Sequence, residues 1–180
     1  MQRAGTIGWL PRLYQEGDLA GVFLVIAATD DSAVQERIHA EAEERNLLLN
    51  VADVPKWCNF ILPATARRGD LSISVSTAGK SPALASTLRQ ALEVQFGPEY
   101  GVLVEILGTM RDTVLAEGRP HAENKVLFAR LADPEMAAWI KDGLWQKLAG
   151  HIQEVLGPDA PLACLERARQ TYEQSSGAAR

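Results

Sequence analysis

A continuous apolar run, Gly21-Val22-Phe23-Leu24-Val25-Ile26-Ala27-Ala28, is the feature that most narrows what this chain can fold into. A run without polar alternation predicts a strand buried on both faces, the kind that parallel sheets place between layers of helices. The residues after it predict a helix. Ser32 to Gln35 has capping-box spacing, Val34, Ile38 and Ala42 share one helical face, and Asn46 offers a stop. Leu47 to Val51 then reads as the next parallel strand, and Thr6 to Leu10 as a short strand ahead of both. The fold class expected is α/β, built on a partial Rossmann-like parallel sheet.

The period changes downstream. Asp70 to Thr77 alternates, Leu71, Ile73 and Val75 against Ser72, Ser74 and Ser76, which predicts a strand with one polar face. Ser81 is placed to cap the next helix and Pro82 to occupy its first position, with Leu84, Leu88 and Leu92 on one stripe that must pack on something. From Gly101 the pattern is helical. Leu103, Leu107, Met110 and Val114 form a stripe ending near Gly118 and Pro120. Met136, Ile140, Leu144 and Leu148 form another, weakened by Gly143, and Pro158 and Pro161 set off a last helix. The tail Ser175 to Arg180 is expected to be disordered. The pattern divides the chain at 1–53, 54–98 and 99–180, and the family resemblance carried by the motifs below implies that these are a partial nucleotide-binding domain, a dimerisation and substrate-binding segment, and a helical C-terminal region.

Composition excludes several classes of function. A net charge of −5 leaves no basic footprint for nucleic acid, and no apolar run approaches the roughly 18 residues that would span a bilayer. Cys58 and Cys164 lack CxxC spacing, so neither a disulfide framework nor a zinc site is suggested and a reducing cytoplasm fits. His39, on the predicted outer face of its helix, His121 and His151 have no partner at i+4, which leaves no metal ligand to name. Trp57, Trp139 and Trp145 read as packing anchors and Cys58 as a small buried residue.

In open α/β sheets ligands bind beyond the carboxyl ends of parallel strands. Thr29, Asp30 and Asp31 stand at one such end, although Asp30 or Asp31 can equally cap the helix that follows. Asn50 and Asp53 stand at the other, and Val54-Pro55 with the apolar segment beyond can desolvate Asp53, a candidate acid or base. Thr77-Ala78-Gly79-Lys80-Ser81-Pro82 leads a small-residue turn into a helix N-terminus, where free N–H groups and Lys80 favour an anion. Arg67, Arg68 and Arg89 add positive charge nearby in sequence. A tight strand-to-helix turn without ligand is the other reading of this segment.

Taken together, Trp9-Leu10-Pro11-Arg12, Gly17-Asp18-Leu19, Ala27-Ala28-Thr29-Asp30-Asp31, Asn50-Val51-Ala52-Asp53, Phe60-Ile61-Leu62-Pro63-Ala64, Arg68-Gly69-Asp70-Leu71 and Lys80-Ser81-Pro82-Ala83-Leu84-Ala85 resemble, in order and spacing, the precorrin-2 dehydrogenases of siroheme synthesis, some of which are also sirohydrochlorin ferrochelatases. The resemblance implies NAD-dependent oxidation of precorrin-2 to sirohydrochlorin in a homodimer, with Fe²⁺ as a metal substrate where the chelatase activity is present. It implies Asp53 as the catalytic residue of both reactions. Thr29, Asp30 and Asn50 fall on the cofactor side, and Ser76, Thr77, Lys80, Arg67, Arg68 and Arg89 are the candidates for the carboxylate-rich tetrapyrrole. Two positions depart from the family pattern: Ala78 replaces a usual second glycine, and Asn59 a usual acidic or small polar residue. A larger departure lies upstream. The Gly-rich turn and ribose-binding acid of the family, roughly one βαβ unit, would precede Met1. A truncated chain or misassigned start is therefore expected, with weakened NAD affinity and a strand edge left bare. A chelatase without dehydrogenase activity and a silent tetrapyrrole-binding scaffold are the alternative functions.

Overall fold

The computed structural model describes residues 7–177, which form two units: one running through Leu62 and taking in Ala78–Lys80, the other comprising Pro63–Thr77 and the chain from Ser81 onward.

The first unit is a βαβ element. Strand β1 (Leu24–Ala27) pairs in parallel with β2 (Leu48–Val51), Leu24 opposite Leu48 and Ala27 opposite Val51, and α1 (Ser32–Glu44) crosses between them. Val25, Ala27, Leu49 and Val51 face Ile38, Ala42 and Leu19 in one small core. The helix starts one residue earlier than the capping-box spacing predicts. Asp31 is the cap, its carboxylate accepting from the N–H groups of Ala33 (2.9 Å) and Val34 (3.2 Å), while the Gln35 amide turns back to the Thr29 carbonyl at 2.6 Å. Asn46, in the left-handed region at φ 52, ends the turn after α1.

Two expectations for this unit fail. The apolar run forms a shorter strand than predicted and only one of its faces is buried: Leu24 is 42% and Ile26 53% exposed, and Phe23 is bare as well. A continuous apolar run signals two buried faces only when something covers both, and α1 covers one. Ile7 to Leu10 form no strand, and Thr6 lies outside the described residues. The following segment is tied down by side chains instead. Arg12 grips Asp18 through two hydrogen bonds of 2.7 and 2.6 Å, holding the Asp18 carboxyl down to about 2.

The second unit opens with a hairpin, β3 (Ala64–Arg68) antiparallel to β4 (Leu71–Val75), joined by the two-residue turn Gly69-Asp70. The β4 alternation is as predicted, with Ser72 and Ser74 on the open face, where Ser74 Oγ meets Thr65 Oγ1 at 3.0 Å. Helix α2 (Pro82–Gln95) packs on the hairpin and is capped by Ser81, whose hydroxyl accepts from the Leu84 N–H at 3.2 Å. Helix α3 (Pro98–Ala116) comes so close to β3 that a Cβ on Gly101 would stand 3.0 Å from the Arg68 carbonyl.

Helices α4 (His121–Leu131), α5 (Met136–Lys141), α6 (Trp145–Leu156) and α7 (Ala163–Gly177) complete the unit around a core of Ile106, Met110, Met136, Ile140, Leu148 and Ile152. Two predicted stripes shift. On α3 the buried line is Val102, Ile106, Met110 and Val114, with Leu103 and Leu107 at its flank. The stripe through Leu144 breaks at Gly143, leaving Leu144 itself exposed between α5 and α6. Ser175 to Gly177 continue α7, contrary to the expected disorder, and 178–180 lie outside the described residues. No described helix is long and apolar enough to cross a membrane.

Candidate active site

Parallel pairing of β1 with β2 brings their carboxyl ends to one end of the sheet, so Thr29 and Asp30 beyond β1 share it with Asp53 beyond β2. Most polar groups there are already committed. The Thr29 hydroxyl accepts from the Asp31 N–H at 3.2 Å, Asp31 caps α1, and the Asn50 amide donates to the Phe60 carbonyl at 3.1 Å. Asp30 and Asp53 are the exceptions. Their carboxylates are exposed and have no hydrogen-bonding or ion-pair partner among the described residues. Burial of Asp53 by the apolar residues after it, as the sequence predicts, does not occur within the chain.

Asp53 is also held in an unusual backbone conformation, φ 59, in the left-handed region. An L-residue other than glycine gives up roughly 1 kcal/mol or more there, less for Asp than for most because its short side chain tolerates the geometry. Such a conformation persists where neighbours over-determine it. The turn around Asp53 is fixed at both sides: the Ala52 N–H donates to Ala27 at 2.9 Å and the Val54 N–H to Val51 at 3.3 Å, and a 3-10 turn over Pro55–Trp57 follows.

Sequence reasoning missed what fastens this turn. The N–H groups of Leu49 and Val51 point away from β1, toward Cys58-Asn59-Phe60. Asn59 Oδ1 accepts from Leu49 N at 2.8 Å, its amide donates to Leu47 O at 2.8 Å, and its own N–H donates to Leu49 O at 3.0 Å. The Cys58 thiol accepts from Val51 N at 3.2 Å and lies within donating distance of Val51 O (3.3 Å) and Val54 O (3.5 Å). This clasp does for β2 what another strand would do, and it makes Asn59 a structural asset where the family pattern has an acidic or small polar residue. The opposite edge, on β1, pairs with no strand among the described residues.

A buried carboxylate was missed too. Glu41, aligned with the buried side of α1, accepts from the Tyr14 hydroxyl, from the N–H groups of Gly17 (3.0 Å) and Leu19 (3.3 Å), and from Arg45 Nε (2.9 Å). These donors, the Tyr14 hydroxyl foremost, hold its carboxyl below the usual range. Burial, with the Glu41 carboxylate next, pushes the Tyr14 phenol up to about 12. His39 is half-buried and off the buried face of α1, its ring 5.3 Å from that of Trp57.

The basic candidates divide. Lys80, together with Ala78 and Gly79, belongs to the first unit, and Ala78 adopts φ 51. Ser76, Thr77, Arg67, Arg68 and Arg89 belong to the second. The Thr77 hydroxyl accepts from the Ser81 N–H at 3.1 Å, which makes it a turn-former. Arg68 donates to the Glu93 carbonyl and Arg89 pairs with the Glu93 carboxylate, while the Lys80 and Arg67 side chains have no partner among the described residues.

Comparison with known proteins bears on all of this. A family described as putative NAD(P)-binding matches residues 1–64, and one described as sirohaem biosynthesis protein, central, matches 68–95. Siroheme synthase 1 of Pectobacterium atrosepticum is 33% identical over 154 residues, 86% of this chain and 32% of that protein. Siroheme synthase 1 of Serratia proteamaculans is 40% identical over 143 residues, 79% of this chain and 30% of that protein. The chain thus spans about a third of the length of these curated relatives. Among solved structures, a precorrin-2 dehydrogenase, SirC, superposes with a TM-score of 0.72 over 86% of this chain and 73% of that one, at 23% identity, a likeness of fold. A match to the NAD(P)-binding family followed in order by a match to the central sirohaem biosynthesis segment, with siroheme synthases alike over most of the chain, places the chain in the siroheme synthase family.

Proposed function

We propose that the chain acts in siroheme biosynthesis by oxidising precorrin-2 to sirohydrochlorin, with Asp53 as the group that accepts the ring proton. The observation that carries this reading is the Asp53 carboxylate: exposed, unpartnered among the described residues and fixed in a left-handed turn at the carboxyl end of β2. The oxidation removes one hydride and one proton from the macrocycle. NAD, when bound, supplies the hydride acceptor. A carboxylate without a partner among the described residues is free to take the proton, and a fixed backbone presents it in one place.

The open strand ends suit such a cofactor. Asp30, whose carboxylate has no partner among the described residues, can accept from its hydroxyl groups, and Asn50, whose amide is turned to Phe60, can turn its carbonyl oxygen to it. Of the basic candidates, Lys80 belongs to the same unit as Asp53, and its side chain, without a partner among the described residues, can meet a substrate carboxylate.

The active species proposed is a homodimer. Leu84 and Leu88 of α2 are 50% and 43% exposed, so the leucine stripe predicted to pack on something finds little cover within the chain. A second copy supplies it. Light scattering after size exclusion should give twice the chain mass at micromolar concentration, and Leu88→Glu should give the single mass. A monomeric parent chain contradicts the dimer.

The functional test is anaerobic incubation with precorrin-2 and NAD, following NADH and sirohydrochlorin together, with a parallel arm offering Fe²⁺ and sirohydrochlorin without NAD. Stoichiometric NADH and sirohydrochlorin support the dehydrogenase. Metal insertion with no NADH in the first arm replaces it with a chelatase, and silence of a folded chain in both arms leaves only a binding scaffold.

A further inference from the structure

We propose that Cys58 is a positioning residue for Asp53, a role that rests on the catalytic assignment of Asp53 made above. The thiol bridges the two sides of the turn that carries the carboxylate. Val51, two residues before Asp53, donates its N–H to Cys58 Sγ at 3.2 Å, and the carbonyls of Val51 (3.3 Å) and Val54, one residue after Asp53, at 3.5 Å, share the thiol hydrogen. No other side chain among the described residues is hydrogen-bonded to both flanks of Asp53.

The physical need for such a tie follows from φ 59 at Asp53. A left-handed Asp relaxes to an ordinary conformation unless its neighbours hold the peptide planes on either side. The backbone bond from Val54 N to Val51 O, 3.3 Å, closes the turn and is the longer of the two backbone bonds that flank Asp53. The sulfur occupies the same corner and fixes Val51 and Val54 together. Asn59 serves a different purpose, since its bonds run to Leu47 and Leu49, upstream of the turn. Loss of the thiol therefore moves the carboxylate, whereas loss of the Asn59 amide loosens the strand edge. A displacement of about 1 Å at a reacting group can cost on the order of a hundredfold in rate.

The test is a double-mutant cycle on the full chain with precorrin-2 and NAD. Cys58→Ala should lower kcat about tenfold or more, with KM for NAD unchanged, and Cys58→Ser, which still accepts and donates, should recover most of the loss. In an Asp53→Asn background, Cys58→Ala should change the residual rate less than twofold. A second readout needs no turnover and guards against an inactive or poorly stable variant: the intraresidue H–N to Hα NOE of Asp53, strong at a positive φ because the two protons are then close, and the exchange rate of the Val54 amide. Both should report a left-handed, protected turn in the parent and Cys58→Ser, and its loss in Cys58→Ala. An unchanged kcat in Cys58→Ala, an equal loss in the Asp53→Asn background, or an unchanged Asp53 NOE overturns the positioning role alone. Full turnover by Asp53→Asn overturns the assignment of Asp53, and the role of Cys58 with it.

Discussion

At Glu41 a carboxylate is taken out of water and given four donors in exchange, which is the condition under which a buried charge is tolerated. Its folded pKa lies below the ordinary 4.5, so its contribution to stability is complete above that value and is lost as pH falls through the lower, folded one. Glu41→Gln should flatten the acid limb of a pH–stability curve and lower the unfolding temperature at neutral pH; an unchanged acid limb contradicts the account. Tyr14 has the opposite sign. Its folded value of about 12 lies above the ordinary 10, so its contribution is complete below 10 and disappears as pH rises toward 12, an alkaline loss that Tyr14→Phe should abolish. Ala78, left-handed at φ 51, carries strain that glycine does not. Ala78→Gly should stabilise by about 0.5–1 kcal/mol in thermal unfolding, the relief of strain exceeding the entropy glycine adds to the unfolded chain. At this scale the sequence is partly legible. Ser81 as a cap, Asn46 as a stop and Asp31 as an alternative cap are read from residue type alone, but that Asp31 prevails over Ser32 depends on its carboxylate reaching two free N–H groups.

Elements show why the rest is harder to read. Strand β1 has the composition of a doubly buried strand and the environment of a singly buried one, since burial depends on what packs against a face and not on the face itself. Helix α3 has Leu and Ile or Val on adjacent lines, and only the packing of α5 and α7 decides that Val102, Ile106, Met110 and Val114 go inside. Strand β3 carries its signal in Gly69-Asp70, a two-residue hairpin turn between short runs, which is easily passed over because Arg67 and Arg68 look like a binding pair. The approach of α3 to β3 gives a direct test. Gly101→Ala would place a methyl group 3.0 Å from the Arg68 backbone, which cannot swing away, and should destabilise by about 1–3 kcal/mol. The β2 clasp gives another. Asn59→Asp keeps the acceptor for Leu49 N but removes the donor to Leu47 O, so a loss of about 1 kcal/mol, read from denaturant midpoints, is expected.

Over the whole chain, the strand ends of the first unit are the most legible part of the candidate site, because the rule placing ligands beyond parallel strands needs only strand order and connection. Which of the polar residues there remain free was not legible. That depends on Thr29 turning to Asp31, Asn50 to Phe60 and Arg68 with Arg89 to Glu93, contacts made across the fold and invisible in spacing. The central claim is that Asp53 accepts the ring proton. Its most direct test is single-turnover oxidation of precorrin-2 with saturating NAD by the parent chain and by Asp53→Asn, at matched folded concentration verified by thermal unfolding. The account predicts that Asp53→Asn remains folded and loses on the order of a hundredfold or more in the rate of sirohydrochlorin formation, in the range removed with a general acid or base. A folded Asp53→Asn that forms sirohydrochlorin at the parental rate would contradict it.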